Sequence, residues 1–156
     1  MKGMRLLTGV RFAFALAIAA GVRAQDSNFE SGDYGIRLTI PPGWSINATR
    51  QPRVILKLNH GGDAAVKPEL LVYEAPFSEP ITLGQYREQL RHFIQRAYKD
   101  PVMLDDRAAK AGERAGFILA VASKGQNDAE LVSFKGIFEI SPRRMLGVDG
   151  VFPKGQ

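Results

Sequence analysis

The sequence predicts an α+β fold, an antiparallel β-sheet with one long amphipathic helix packed on a face. Three observations predict it. Only one segment, about Leu83 to Tyr98, combines helical periodicity with both a start and a stop signal. The apolar segments around it alternate with period two, as half-buried strands do. The chain order is strands, one helix, then a run of strands, not the βαβ alternation of a parallel sheet.

Gln25 to Asp33 is polar and contains Gly and Ser, and reads as a short flexible lead-in. From Tyr34 to Ile40, the residues Ile36, Leu38 and Ile40 alternate with Arg37 and Thr39, which predicts a strand. Pro41-Pro42-Gly43 ends it, because proline lacks the ladder donor and Pro-Gly favours a tight turn. Trp44 follows and is expected at the sheet's edge. Val54, Leu56 and Leu58 alternate with Ile55, Lys57 and Asn59 in a second strand, and His60-Gly61-Gly62-Asp63 is a loop. Leu70 to Glu74 is a short third strand, with Pro76 and Pro80 bracketing the connection to the helix.

Thr82 can cap the helix, and Gln85 three residues later completes a capping box. Ile81 and Tyr86 stand where a hydrophobic staple needs them. Leu83, Tyr86, Leu90, Phe93, Ile94 and Ala97 fall on one face, with Glu88, His92, Gln95 and Lys99 opposite. Asp100-Pro101 ends the helix, since the residue before proline resists helical geometry. Val102 to Asp105 is then a short strand. Phe117 to Ala122 is apolar on both faces, which predicts a central strand. Gly125 to Asp128 is a turn. Val132, Phe134, Phe138 and Ile140 share a face, with Ser133, Lys135 and Glu139 pointing the other way. Ser141-Pro142 turns the chain into a last strand, Met145 to Phe152.

Residues 1–24 carry a different signal. Lys2, Arg5 and Arg11 give a basic start, Phe12 to Val22 is apolar or small, and Val22-Arg23-Ala24 offers small side chains at the two positions a signal peptidase reads. This is the layout of a secretory signal peptide, and its apolar run is shorter than the roughly 20 residues of a membrane span. Cleavage before Gln25 is the expectation, with an uncleaved anchor as the alternative; in either case residues 1–24 are expected to stand apart from the domain. Residues 25–33 are then the lead-in, and 34–156 form one domain. The full chain has 21 basic and 16 acidic residues, a net +5. Removing Lys2, Arg5, Arg11 and Arg23 leaves 17 against 16, so the basic balance belongs largely to the signal and argues no nucleic-acid binding. The chain has no cysteine, which removes a lipid-attachment site, a thiol nucleophile and any thiolate metal site. After cleavage no stable membrane span remains, and the localisation expected is periplasmic or extracellular.

No nucleophile elbow, phosphate loop, zinc-binding helix motif or dinucleotide fingerprint occurs. Catalytic, cofactor and metal residues are therefore all assigned as none. The one alternative is a small hydrolase or metal-dependent enzyme using His60 with Asp105 or Asp106, since adjacent carboxylates can hold a hard cation. It requires those side chains to share one pocket. His92 faces solvent near Glu88 on the helix. Arg87, Arg91, Arg96 and Lys99 make the helix exterior basic, as a solvated face or a partner contact. A further option is a carrier of a small apolar ligand beneath the helix.

The run Tyr34-Gly35-Ile36-Arg37-Leu38-Thr39-Ile40-Pro41-Pro42-Gly43-Trp44 resembles the opening of PsbP-like domains, where an aromatic-Gly strand leads into Pro-x-Gly-Trp. That superfamily includes the photosystem II accessory protein PsbP, DcrB-type bacterial envelope proteins and a nuclear Ran-binding relative. Glu69 to Tyr73 and Thr82-Leu83-Gly84-Gln85-Tyr86 occupy the places of the family's third strand and helix start, and the pattern covers roughly residues 29–140. The resemblance implies an α/β/α sandwich around an antiparallel sheet and no catalysis, since such domains mostly bind other proteins or steady an assembly. It carries over no functional residue. Such domains usually end in a second long helix, whereas this sequence stops at Gln156, just after the last predicted strand. Either the chain continues, or something else covers the sheet face. The expectation is a partly uncovered face carrying Ile55, Ile118 and Leu131 or Ile137, diluted by Lys57, Ser133 and Lys135, where a protein partner, a second copy or the missing helix docks.

Overall fold

Alternation of apolar and polar residues along most of the chain gives ten strands among the described residues, and capped helical periodicity gives one helix. The computed structural model describes residues 10–11, 27–62 and 66–154. In chain order the elements are β1 (Val10–Arg11), β2 (Ser27–Ser31), β3 (Ile36–Ile40), β4 (Trp44–Asn47), β5 (Val54–His60), β6 (Glu69–Pro76), α1 (Leu83–Ala97), β7 (Lys99–Ala111), β8 (Arg114–Lys124), β9 (Glu130–Ser141) and β10 (Arg144–Pro153). Seven strands form one antiparallel sheet in the order β4-β5-β6-β10-β9-β8-β7. The other three form a small sheet ordered β1-β3-β2.

The small sheet and the helix cover opposite faces of the large one. Ile36, Leu38 and Ile40 are buried on alternate positions of β3 and pack on Leu56, Leu58, Leu70, Val72, Phe138, Leu146 and Val148. Two hydrogen bonds tie the β2–β3 turn to the sheet, and a third, within the sheet, holds the carboxylate that one of them uses. Tyr34 Oη donates to Glu74 Oε2 at 2.8 Å, Arg144 Nε donates to Glu74 Oε1 at 2.6 Å, and Arg114 donates to the Tyr34 carbonyl at 2.6 Å. Arg144 first, and Tyr34 next, hold the Glu74 carboxyl below its ordinary range, so it stays a charged anchor.

On the other face, α1 begins as its local sequence dictates. The Thr82 hydroxyl accepts from the Gln85 N–H at 3.2 Å, and the Gln85 side chain accepts from the Thr82 N–H at 2.9 Å. The helix ends at Ala97, and Tyr98 turns extended into β7. Ile94 packs against Phe117, Leu119, Val121, Ile137 and Met145, all but excluded from solvent, with Leu83, Tyr86 and Leu90 at the margin. Phe93 departs from expectation. It is 55 % exposed, because it sits at the rim of the apolar stripe and only its edge meets Tyr98.

Several sequence expectations are corrected by the sheet. Residues 27–31 are not a flexible lead-in: β2 pairs with β3 from Ser27↔Ile40 to Ser31↔Ile36. The strand predicted at 102–105 runs on to Ala111 as the edge strand β7. Phe117 to Ala122 lies in β8, second from the edge, and the centre belongs to β10. Phe134 and Phe138 lie on the face away from α1, while Ile137 is fully buried beneath the helix. Val10 and Arg11 do not stand apart from the domain but pair in parallel with Ile36 and Arg37, since the outer side of β3 offers unpaired main-chain groups. The rest of the signal segment lies outside the described residues, as do Gln25 and Asp63.

Candidate functional site

The alternative enzyme site requires His60 beside Asp105 or Asp106, and the topology keeps them apart. His60 ends β5, and both aspartates lie on β7, with β6, β10, β9 and β8 between. Five strand-to-strand steps of about 4.8 Å separate the two strands by roughly 24 Å. His60 has a packing partner instead. It is cross-strand from Trp44, with ring centroids 5.5 Å apart in an edge contact, and Trp44 meets Phe152 likewise at 6.0 Å. Gly43 makes this corner possible: its φ is +83°, and a Cβ there would lie 2.8 Å from His60 Nε2.

The two aspartates are held by arginines. Asp105 accepts from Arg107 Nε at 2.8 Å on the exposed surface. Asp106, on the helix side of β7, accepts from Arg87 Nε and Arg91 Nε at 2.5 Å each, and Arg91 also pairs with Glu88 at 2.9 Å. Arg87 and Arg91 thus bridge α1 to β7 and do not form a purely solvated exterior. Burial pushes the Asp106 carboxyl upward, but the Arg91 and Arg87 hydrogen bonds and charges outweigh it and hold Asp106 below the ordinary range. Among the described residues no group of three His, Asp or Glu side chains is placed to hold a metal ion. His92 is exposed, as expected. Directly beneath Ile94 the space is filled by side chains no more than 2 % exposed.

Besides the Tyr34–Glu74–Arg144 anchor, the structure brings together a second polar cluster that sequence reading missed. Tyr73, Lys135 and Asp149 meet on the helix side of the sheet, within reach of Tyr86 of α1 and of Tyr98. Tyr73 Oη donates to Asp149 Oδ1 at 3.2 Å, and Lys135 Nζ lies 2.5 Å from Asp149 Oδ2. Burial first, and the Asp149 charge second, push the Tyr73 hydroxyl far above the ordinary tyrosine range. The ring lies over Gly147, its cross-strand partner, where an added Cβ would run into it. Nothing local marks this cluster, since its members come from three strands.

The face of β7, β8 and β9 away from α1 carries a second apolar group. Ile118, Ala120 and Ala122 share that face with Phe134 and Val132 through the register Ala120↔Phe134 and Ala122↔Val132. All five are half-buried, and Val102, opposite Ala122, is 58 % exposed. Ile118 is half-buried on that face, whereas Ile137, expected beside it, is fully buried on the opposite face beneath the helix. Among the described residues no helix is long and apolar enough to cross a membrane.

No protein-family model and no curated protein sequence matches the chain. Solved structures do. PA94 from Pseudomonas aeruginosa, a protein of unknown function, aligns at TM-score 0.57 and 10% identity over 84% of this chain and 85% of its own. LpqN of Mycobacterium tuberculosis, involved in cell envelope biogenesis, aligns at TM-score 0.54 and 13% identity over 74% of this chain and 69% of its own. Cyanobacterial PsbP from Synechocystis sp. PCC 6803 aligns at TM-score 0.54 and 13% identity over 89% of this chain and 87% of its own. The architecture is thus PsbP-like.

Proposed function

We propose that this PsbP-like chain is an exported, non-catalytic accessory domain of the cell envelope that acts by binding another protein. The observation that carries the reading is the fold it shares with LpqN, an envelope-biogenesis protein. Two further features support it. The candidate acid–base residues sit at opposite sides of the sheet, and the aspartates among them are engaged by arginines. The N-terminal layout is that of a signal peptide, removed before Gln25. Cleavage there takes away β1, which contributes two paired residues, and leaves the β2–β3 pair whole.

Fractionation with intact-mass measurement tests the export. Envelope or external material should begin at Gln25, and material retaining residues 1–24 in the cytoplasm refutes it. A photo-cross-linker at Ile118 tests the binding, with one at Gln95 on the outer side of α1 as control. Recovery of one protein from Ile118 alone supports the reading; equal yields from the two positions, or none, remove it.

A further inference from the structure

The β7 edge is built unevenly. Its register against β8 shifts twice between Lys99 and Asp105, then runs regularly from Asp105↔Ala120 to Ala111↔Arg114. Bulges twist an edge away from would-be partners, whereas a regular stretch presents main-chain donors and acceptors in ladder spacing. Against the regular stretch lies a cleft of about 680 Å³, bounded by Leu83, Gly84 and Arg87 of α1 and by Ala108, Ala115 and Phe117 of the sheet. Its charged lining is all basic: Arg87, Arg107 and Lys110. Arg87 is paired with Asp106, and Arg107 with Asp105. Lys110 is exposed and has no ion pair among the described residues.

We propose that the β7 edge over Asp106–Ala111 takes an extended acidic segment of a partner protein as an added strand, with a carboxylate entering the cleft beside Lys110. The inference rests on the protein-binding reading above and specifies the kind of segment bound. Strand addition obtains affinity from main-chain hydrogen bonds and selectivity from alternate side chains. Asp106, Ala108 and Lys110 alternate onto the helix side, so every second side chain of an added strand rises beside the cleft. Ala108 leaves room there, and the uncompensated ammonium of Lys110 selects a negative group.

The probe is a short, end-capped peptide alternating glutamate with valine, titrated into the mature protein and followed by amide hydrogen exchange and anisotropy. New protection should fall within 106–111. Lys110→Glu, at an exposed position, should weaken binding by about five- to tenfold, with Lys110→Gln between, and Lys99→Glu at the bulged end should leave it unchanged. Methylating the peptide's alternate amides should abolish binding. Unchanged affinity in Lys110→Glu overturns the proposal, as does equal binding of the methylated peptide. Displacement by acetate alone reassigns the cleft to small anions, and protection of 106–111 that grows with protein concentration without peptide gives the edge to a second copy; either result overturns it. If the peptide fails while Ile118 cross-links persist, only the edge proposal falls. If export fails while the peptide binds, only the envelope reading falls.

Discussion

Replacing Ile94 and, separately, Phe93 by alanine separates two neighbours that helical periodicity puts on the same apolar face. Ile94 is 1 % exposed and Phe93 is 55 % exposed. Truncating a fully buried isoleucine removes its transfer energy and leaves a cavity, together about 3 kcal/mol within a range of about 2–5. A fully buried phenylalanine side chain contributes at most about 3 kcal/mol by transfer, so burying somewhat less than half of it contributes roughly 1 kcal/mol. Phe93 also loses its edge contact with Tyr98, at a centroid distance of 6.3 Å, but that contact is solvent-facing and adds little. In a domain of this size 1 kcal/mol moves the midpoint by about 4 °C. Ile94→Ala should therefore lower Tm by about 12 °C and Phe93→Ala by about 4 °C. Urea melts on each variant supply the free energies independently. Equal losses, or a larger loss at Phe93, would refute the placement of α1 on the sheet.

Further outcomes follow from the same geometry. Tyr73 and Tyr86 are held above their unfolded range by burial and Asp149, so they bind their protons more tightly when folded. That contribution is complete below about pH 10 and is lost as pH rises toward the folded values, so stability measured by urea melts should fall above pH 10 and fall less in Tyr73→Phe. Gly147→Ala should displace the Tyr73 ring at a cost of about 1–3 kcal/mol and show the same weakened alkaline slope; a wild-type melt would mean the ring has room to move. Asp106 is held low, so its contribution is present above about pH 4 and fades as pH falls through the lower folded value; Asp106→Asn should flatten that acid limb, and an unchanged limb would place the acid sensitivity elsewhere. Ile118→Ser should reduce association and lower Tm by several degrees only, as expected of a half-buried side chain, whereas Ile137→Ser, at a position with no exposure, should unfold the domain.

What the sequence made legible is what short-range chemistry determines. The capping box at Thr82 and Gln85 needs only three residues of spacing, and it is present. The alternation of β3 and of Leu56 and Leu58 in β5 reads correctly because those residues share one buried side. Alternation along β9 says that Phe134 and Phe138 share a face, but only pairing with distant strands decides whether α1 lies on it. The polar strand β2 reads as a flexible lead-in and the charged half of β7 gives no strand signal, because edge strands carry Ser, Asp, Lys and Arg where interior strands carry apolar residues. Apolarity on both sides of β8 predicts a centre, yet one side is sealed by α1 and the side chains on the other are half-buried. The separation of His60 from Asp105 and Asp106 was illegible for the same reason: it is a matter of strand order.

The sheet order also determines when the domain can close. β4, β5 and β6 form one meander, and α1 then carries the chain to the far edge, from which β7, β8 and β9 work inward. The strand that joins the halves, β10, follows all of its neighbours along the chain, and its pairing with β6 spans residues such as Val148 and Val72. Until β10 emerges, β6 and β9 each present a bare inner edge, and no local contact can substitute for so distant a pairing. A chain still being synthesised therefore remains in two unfinished pieces, a state open to holding factors and equally open to aggregation. Mutations that weaken β10 should raise the yield of misassembled chains out of proportion to their effect on the finished fold.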